Sequence, residues 1–422
     1  MEDAPFPDAE IIAVGSELLT PQRTDTNSLY LTGKLNDMGV EVVRKTIVGD
    51  DRRRLANVIL SALESAKIVI LTGGLGPTED DVTRDAVALA LGRGQTFRPE
   101  IADWLEQRFA RAGRKMAEIN KRQAFVIDGA IALANRNGTA PGQWIEHRDR
   151  IVMLLPGPPG ELKPMFEAEC VPRLEARLPK QVIRTRFYRV AGIAESDLDA
   201  LIAPVYQAYS NPATTILAAP GDIQVHLRAR ARTEEEAEAL LNQISPRIEE
   251  LLGDRVYSRD GSPIEAVVGA MLRDRGATLA VAESCTGGML GERITSVAGS
   301  SEYFAGGFLT YTDRMKTEVL GIDPALIEQF SAVSEPVAVA MAAAARKCAG
   351  ASYALSVTGI AGPGGGTEAT PVGTVFIGFA APSREEAKRF HFHGDRERVR
   401  TFAVQNALEM LRRRLLAAQQ SG

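Results

Sequence analysis

Histidine is scarce in this chain: four among 422 residues, at His147, His226, His391 and His393. A serine nucleophile therefore has few chances of meeting its usual base. Cysteine is scarcer still. Cys170, Cys285 and Cys348 are odd in number and far apart, which excludes a disulfide framework and a CxxC metal pair and suits a reducing cytoplasm. No apolar run approaches the roughly 20 residues that a bilayer span requires. Positive charge is not in excess: 49 Lys and Arg against 54 Asp and Glu leave a net charge of -5. That balance speaks against a surface built to coat nucleic acid. The opening MEDAPFPDAE is acidic and lacks the basic-then-apolar order of a signal peptide.

What remains is an ordinary globular composition, 45% hydrophobic and 24% charged, long enough for two or three domains with a large core. The first segment alternates short apolar strands with amphipathic helices. Strands are expected at 10–14, 40–48, 68–72 and 151–155, and helices at 27–38, 53–66 and 80–91. Repeated strand-helix-strand units predict an α/β, doubly wound sheet. From about residue 180 the pattern changes to a small α+β module. Its strand at 223–231 alternates apolar and polar residues, and Thr233 stands as N-cap of a helix reaching 252. A third α/β unit follows, with a helix at 263–276, strands at 277–282, 353–357 and 372–380, an Ala-rich helix at 338–349 and a terminal helix at 399–416.

Two stretches carry chemistry. TGGLGPTEDD, residues 72–81, follows a buried strand and opens a helix. Open α/β sheets bind ligands there, and backbone N–H groups at Gly73, Gly74, Gly76 and Thr78 suit a phosphate. Asp80 and Asp81 would repel that phosphate unless a Mg²⁺-type cation bridges them. The plainer alternative makes Thr78 an N-cap and the acids partners of the helix dipole. GSELLTPQRTDTNS at 15–28, with Glu17, Asp25 and Asn27, and LPGPPGEL at 155–162, with Glu161, end two other strands and can join the same site.

VAESCTGGML, residues 281–290, sets Ser284 beside Cys285 at a strand-to-helix turn. Backbone N–H groups of such a turn can hold an oxyanion, and either residue can be the nucleophile. No histidine is near in sequence. His391 and His393 lie on one face of a downstream strand, read as a solvated edge with no third metal ligand. A lysine can replace histidine as base, and GGFLTYTDRMK at 306–316 offers Tyr311 and Lys316. The plainer alternative is a surface lysine and a core tyrosine.

These motifs carry a resemblance. AVGSELL, DTNS, TGGLGPTEDD, NGTAPG and LPGPPGEL are similar, in order, to the molybdopterin-binding-like domain that begins proteins of the CinA (competence/damage-inducible protein A) family. AESCTGG, GSS, GGFLTYTDRMK, AVSE, SVTGIAGPGGGT, PVGTV and GDRERVR resemble the C-terminal domain of that family. The resemblance implies three domains: 1–178, molybdopterin-binding-like; 179–258, KH-like although its GDIQ turn is not the GxxG of a KH loop; and 259–422, an amidase domain. It implies cleavage of ADP-ribose to AMP and ribose 5-phosphate in the first, with a divalent metal (Mg or Co) at Asp80 and Asp81 and substrate at Glu17 and Asn27. For the last it implies hydrolysis of nicotinamide mononucleotide to nicotinate mononucleotide and ammonia, with no cofactor.

In that reading Ser284 is the nucleophile and Lys316 its base, supported by Tyr311 and Thr358. Amides from Thr286 through Gly287 to Gly288 hold the oxyanion. Gly362, Gly364 and an arginine of GDRERVR hold the 5′-phosphate. The motif suggests Arg396, spacing suggests Arg398, and Arg400 is also within the segment. A cytoplasmic homodimer acting on small nucleotides is expected, with no membrane or nucleic-acid partner. Two competing readings stand: an amidase with a regulatory or molybdopterin-like first domain, and a non-enzymatic competence or DNA-damage accessory protein.

Overall fold

The five residues of IVILT, 68–72, are all buried, as a strand covered on both faces must be. This strand lies inside a six-stranded sheet in a computed structural model that describes residues 6–420. The first five residues of MEDAPFPDAE lie outside the described residues. Contacts divide the chain into two compact units, residues up to 184 with 229–239, and residues 185–228 with 240 onward.

The first unit opens with β1 (Asp8–Val14), α1 (Asn27–Asp37), β2 (Glu41–Val48), α2 (Arg52–Ser65), β3 (Ile68–Thr72) and α3 (Thr83–Leu91). There follow β4 (Gln95–Phe97), α4 (Pro99–Arg111), β5 (Phe125–Ile127), β6 (Ile131–Leu133), β7 (Gly142–His147), β8 (Arg150–Leu155), α5 (Pro159–Met165) and α6 (Val171–Arg177). The main sheet runs β2-β1-β3-β8-β7-β6. Strands β2, β1, β3 and β8 are parallel, whereas β7 and β6 pair antiparallel at the far end.

Alternation along the strands sends side chains to two cores. Ile12, Val69, Leu71 and Val152 meet Leu55 and Ile59 of α2 and Val87 of α3. Ile11, Ile70 and Met153 meet Leu31 and Leu35 of α1 and Leu162 of α5. The chain leaves β1 to one side for β2 and returns on the other for β3. The crevice beyond the ends of β1 and β3 is thus the switch point of a doubly wound sheet. One expectation needs correction. The helix expected from residue 80 starts at Thr83, with Val82 rather than Thr78 at its N-cap. Residues 76–82 instead form a turn, in which Asp81 N–H bonds Thr78 O and Val82 N–H bonds Asp80 O.

The middle segment contains β9 (Val182–Val190), α7 (Glu195–Tyr206), β10 (Ala213–Ala219), β11 (Asp222–Ala231), α8 (Glu234–Leu252) and β12 (Val256–Ser258). Its sheet runs β10-β11-β9-β12. Burial alternates along the whole of β11, and Thr233 Oγ1 accepts from Glu236 N–H at 3.2 Å as the N-cap of α8. The Asp222 carboxylate of the GDIQ turn pairs with Arg189 at 2.9 Å and accepts from Tyr257 at 2.7 Å. The turn therefore presents no free anion or cation.

The last segment comprises α9 (Ile264–Arg273), β13 (Leu279–Glu283), α10 (Met289–Thr295), β14 (Phe304–Leu309), α11 (Asp313–Leu320), α12 (Pro324–Phe330) and α13 (Glu335–Ala349). It ends with β15 (Tyr353–Gly359), β16 (Thr374–Ala381), β17 (Arg384–His391) and α14 (Arg396–Gln420). The sheet order is β14-β13-β15-β16-β17, with β13 parallel to both neighbours and β16 and β17 antiparallel. The small side chains of α13 let its backbone reach the sheet, where Ser356 Oγ donates to Ala338 O at 2.5 Å. His391 and His393 are exposed at the end of the edge strand β17. Among the described residues, no helix is long and apolar enough to cross a membrane.

Candidate active sites

The loops after β1, β3 and β8 surround a cavity of about 660 Å³ in the first unit. Glu17, Asn27, Gly73, Gly74, Gly76 and Asp80 are among its lining residues. Gly73 and Gly74 take φ values of 96° and 65°, which only glycine adopts without strain. The turn they make is anchored from α3. Thr83 Oγ1 donates to Gly73 O at 2.7 Å, and the buried Arg84 guanidinium donates to Leu75 O at 2.6 Å and Gly76 O at 3.0 Å.

The two adjacent acids have different jobs. Asp81 accepts from Gly76 N–H at 2.7 Å, Thr78 N–H at 2.9 Å and Thr78 Oγ1 at 2.5 Å. Its carboxylate is spent inside the loop, and so are both donors of Thr78. Asp80 is exposed on the cavity wall. Among the described residues no three His, Cys, Asp or Glu side chains are grouped to hold a metal ion. The exposed Asp80 carboxylate fits a cation whose shell is completed by a substrate's phosphates and water, a mode usual for Mg²⁺.

The other loops are tied to each other. Asn27 Nδ2 donates to Gly157 O at 2.7 Å, joining α1 to the loop after β8. Asn135 Nδ2 donates to Glu161 Oε2 at 2.7 Å, and Asn137 Nδ2 donates to Gly160 O at 2.8 Å, joining NGTAPG to the same loop. Gln123, 2% exposed, also lines the cavity and donates to Thr139 Oγ1 at 3.2 Å. Sequence reasoning missed Gln123, Thr83 and Arg84. For the last two, hydroxyl and guanidinium at the start of a helix beside a glycine turn were a usable signal. Gln123 had none.

In the second unit the strand-end turn brings the expected pair together. Lys316 Nζ donates to Ser284 Oγ at 3.4 Å and to Tyr311 O at 3.5 Å. The plainer alternative is inverted, since Lys316 is 1% exposed and Tyr311 is 59% exposed. Burial pushes the Lys316 amine below its ordinary value, a shift that Asp313, at 3.7 Å, opposes. Helix α11 is set by its N-cap, Thr312, which accepts from Met315 N–H at 3.3 Å. Cys285 is buried, and burial pushes its thiol up to about 12. Such burial disfavours the thiolate, the form in which a cysteine reacts.

The expected oxyanion donors shift. Gly287 N–H bonds Ser284 O at 3.1 Å, and Gly288 N–H bonds Glu283 Oε2 at 3.0 Å. Both amides are consumed by the turn, so they cannot also hold a substrate oxygen. Among the described residues, no backbone carbonyl accepts from the Cys285 or Thr286 amide. The amides left open to a ligand therefore lie next to Ser284. Thr286 O accepts from Arg400 at 2.6 Å.

The structure also separates the three arginines. Arg396 donates to Gly362 O at 2.8 Å and to Tyr311 Oη at 3.1 Å, bridging the glycine-rich loop and the tyrosine. Arg400 supports the turn after Ser284. Arg398 stacks on Phe402 at 5.4 Å. Gly364 lies in the glycine-rich loop with open space around it. Thr358, buried in β15, donates Oγ1 to Ala332 O at 2.7 Å and so holds the segment preceding α13. Glu283, which the sequence reading passed over, caps α10. An acid directly before a glycine turn and a helix was its signal.

Residues 261–415 match the family described as "CinA C-terminal domain", residues 10–176 match "Probable molybdopterin binding domain", and residues 185–258 match "Damage-inducible protein CinA KH domain". A "CinA-like protein" of Solibacter usitatus (strain Ellin6076) is 60% identical over 414 residues, covering 98% of this chain and 100% of that protein. A "CinA-like protein" of Acidobacterium capsulatum is 50% identical over 416 residues, covering 97% of this chain and 100% of that protein. A crystal structure of a competence-damaged protein (CinA) superfamily protein from Klebsiella pneumoniae 700603 is 34% identical, covers 36% of this chain and 96% of that chain, and has a TM-score of 0.36. With a molybdopterin-binding-like first domain, a KH-like middle and the characteristic last domain all in place, the chain belongs to the CinA family.

Proposed function

We propose that the last domain hydrolyses the carboxamide of nicotinamide mononucleotide, giving nicotinate mononucleotide and ammonia. The observation that carries this reading is the buried Lys316 amine 3.4 Å from Ser284 Oγ. An amine stripped of water gives up its proton more readily and can then act as a base. Ser284 Oγ attacks the carboxamide carbon while Lys316 takes the hydroxyl proton. The Cys285 and Thr286 amides receive the oxyanion. The C–N bond breaks as Lys316 returns the proton to the leaving nitrogen, and water then releases the acid from Ser284. Arg396, held between Gly362 and Tyr311, supplies positive charge for the 5′-phosphate. Ammonia release from nicotinamide mononucleotide tests the reading. No ammonia from the native protein, or undiminished release from Ser284→Ala, would overturn it.

For the first domain the same proposal assigns cleavage of ADP-ribose to AMP and ribose 5-phosphate in the cavity beyond β1 and β3. Asp80 would hold a divalent cation, Mg²⁺ or Co²⁺, which when bound neutralises diphosphate charge. Glycine-loop amides and Asn27 would orient the substrate. AMP formation with and without the cation checks this. The reading places the protein in the cytoplasm, in keeping with three free cysteines, and as a homodimer, which light scattering would test. The KH-domain match favours one rival, an accessory protein that binds a partner without catalysis. Turnover in either assay decides against it.

A further inference from the structure

We propose that Glu283 is the positioning residue of the Ser284 site, acting through the backbone of the nucleophile turn; this rests on the amide-hydrolase reading. Glu283 ends β13 and is 1% exposed. A carboxylate is rarely placed in such a position unless its oxygens are satisfied. Here they accept three backbone amides: Gly288 at 3.0 Å and Leu290 at 3.1 Å on Oε2, and Gly291 at 2.8 Å on Oε1. These are the orphan donors that open α10. Gly288, at φ 97°, makes the left-handed step that turns its amide back to the strand.

The peptide group that links Glu283 to Ser284 ties the other two parts of the site. Glu283 O accepts from Thr310 N–H at 2.9 Å, one residue before Tyr311 and six before Lys316. The next amide, Ser284 N–H, bonds Val357 O at 2.9 Å, beside Thr358. The Glu283 carboxylate and the peptide group between Glu283 and Ser284 therefore join α10, β14 and β15 around Ser284.

The carboxylate also sorts the amides of the turn. By taking Gly288 N–H it removes that donor from chemistry and fixes the curve that leaves the Cys285 and Thr286 amides without a carbonyl acceptor. It occupies the positive end of α10 as well, so that end is not a phosphate site. Binding of the substrate phosphate then falls to other groups, whereas reaction geometry falls to Glu283. Loss of the carboxylate charge should consequently reduce turnover without reducing affinity.

The test uses the full chain with Glu283→Gln and Glu283→Asp, the second serving if the first does not fold. Ammonia release from nicotinamide mononucleotide and covalent labelling of Ser284 by a fluorophosphonate are measured together with thermal unfolding. Expected in Glu283→Gln are a kcat lower by about 10- to 100-fold, the scale of a displaced nucleophile or oxyanion donor, and labelling slowed in parallel. KM stays within about twofold, and the pH midpoint of the acidic limb does not move. Glu283→Asp falls between native and Gln. A merely structural role would lower the melting temperature and leave kcat and labelling of the folded fraction intact, overturning the proposal. If the native protein labels at Ser284 but releases no ammonia, the substrate reading fails and labelling alone decides this one. If the native protein does not label, an activated Ser284 is absent and the proposal is overturned.

Discussion

Lys316 Nζ stands 3.4 Å from Ser284 Oγ although 32 positions separate them in the chain. Parallel pairing of β13 with β14 makes this possible, because it carries the ends of both strands to the same edge of the sheet. Thr312 then starts α11 at the point that aims Lys316 inward. The two side chains are in hydrogen-bond contact, and the environment of the amine is set by burial.

Removing either partner should abolish amide hydrolysis. Ser284→Ala and Lys316→Met are each expected to lower kcat for ammonia release by about 1,000-fold or more. Cys285→Ala keeps the backbone amide and should lose under about threefold. A Cys285→Ala loss as large as that of Ser284→Ala would mean that the wrong neighbour has been chosen.

Lys316 also predicts a pH dependence of stability. Its folded-state value is below the unfolded one, so protonation favours the unfolded chain. The penalty is full at pH below the folded value, and stability rises with pH between the folded and unfolded values. Lys316→Met should therefore melt higher than the native protein at neutral pH, by about 2–4 °C for each kcal/mol regained. Calorimetry at several pH values checks the sign.

Activity should rise with pH as Lys316 loses its proton, along a limb centred below the ordinary lysine value. Asp313 acts against the shift. Asp313→Asn should consequently move that limb to lower pH. A limb that moves upward, measured from the pH profile of kcat/KM, would remove Lys316 as the base.

The arginines should separate in kinetics. Arg396→Ala should raise KM for nicotinamide mononucleotide by about tenfold, because it frees Tyr311 and the glycine-rich loop together. Arg398→Ala should stay within about twofold, since its side chain lies on Phe402.

In the first domain, the two acids should divide between stability and chemistry. Asp81→Asn is expected to cost about 1–3 kcal/mol, as bonds to Gly76 and Thr78 weaken. Asp80→Asn should leave the melting temperature unchanged and abolish cation-dependent AMP formation from ADP-ribose. A stability loss at Asp80 with none at Asp81 would reverse the assignment.

Much of this arrangement was legible in the residues. The continuous apolar run of β3 announced a strand buried on both faces, and the alternation in β11 announced one with a single buried face. Glycine turns after apolar strands pointed to both sites. The start of α3 was misread because Asp80 and Asp81 look like first-turn acids, whereas Asp81 bends back to cap Gly76 and Thr78. The oxyanion donors were misread for a related reason: any turn amide is available in sequence, and only its partner shows whether it is spent.

Sequence by itself determined the alternation of elements, the family and the set of candidate site residues, because periodicity and local motif depend on neighbours in the chain. Only the tertiary structure decided that Lys316 is buried and Tyr311 exposed, that Arg396 rather than Arg398 faces the site, and that Glu283 holds the turn. Those properties depend on which groups lose water and which donors find acceptors. Desolvation and hydrogen-bond pairing are settled between segments far apart in the chain, when the strands take their order in the sheet.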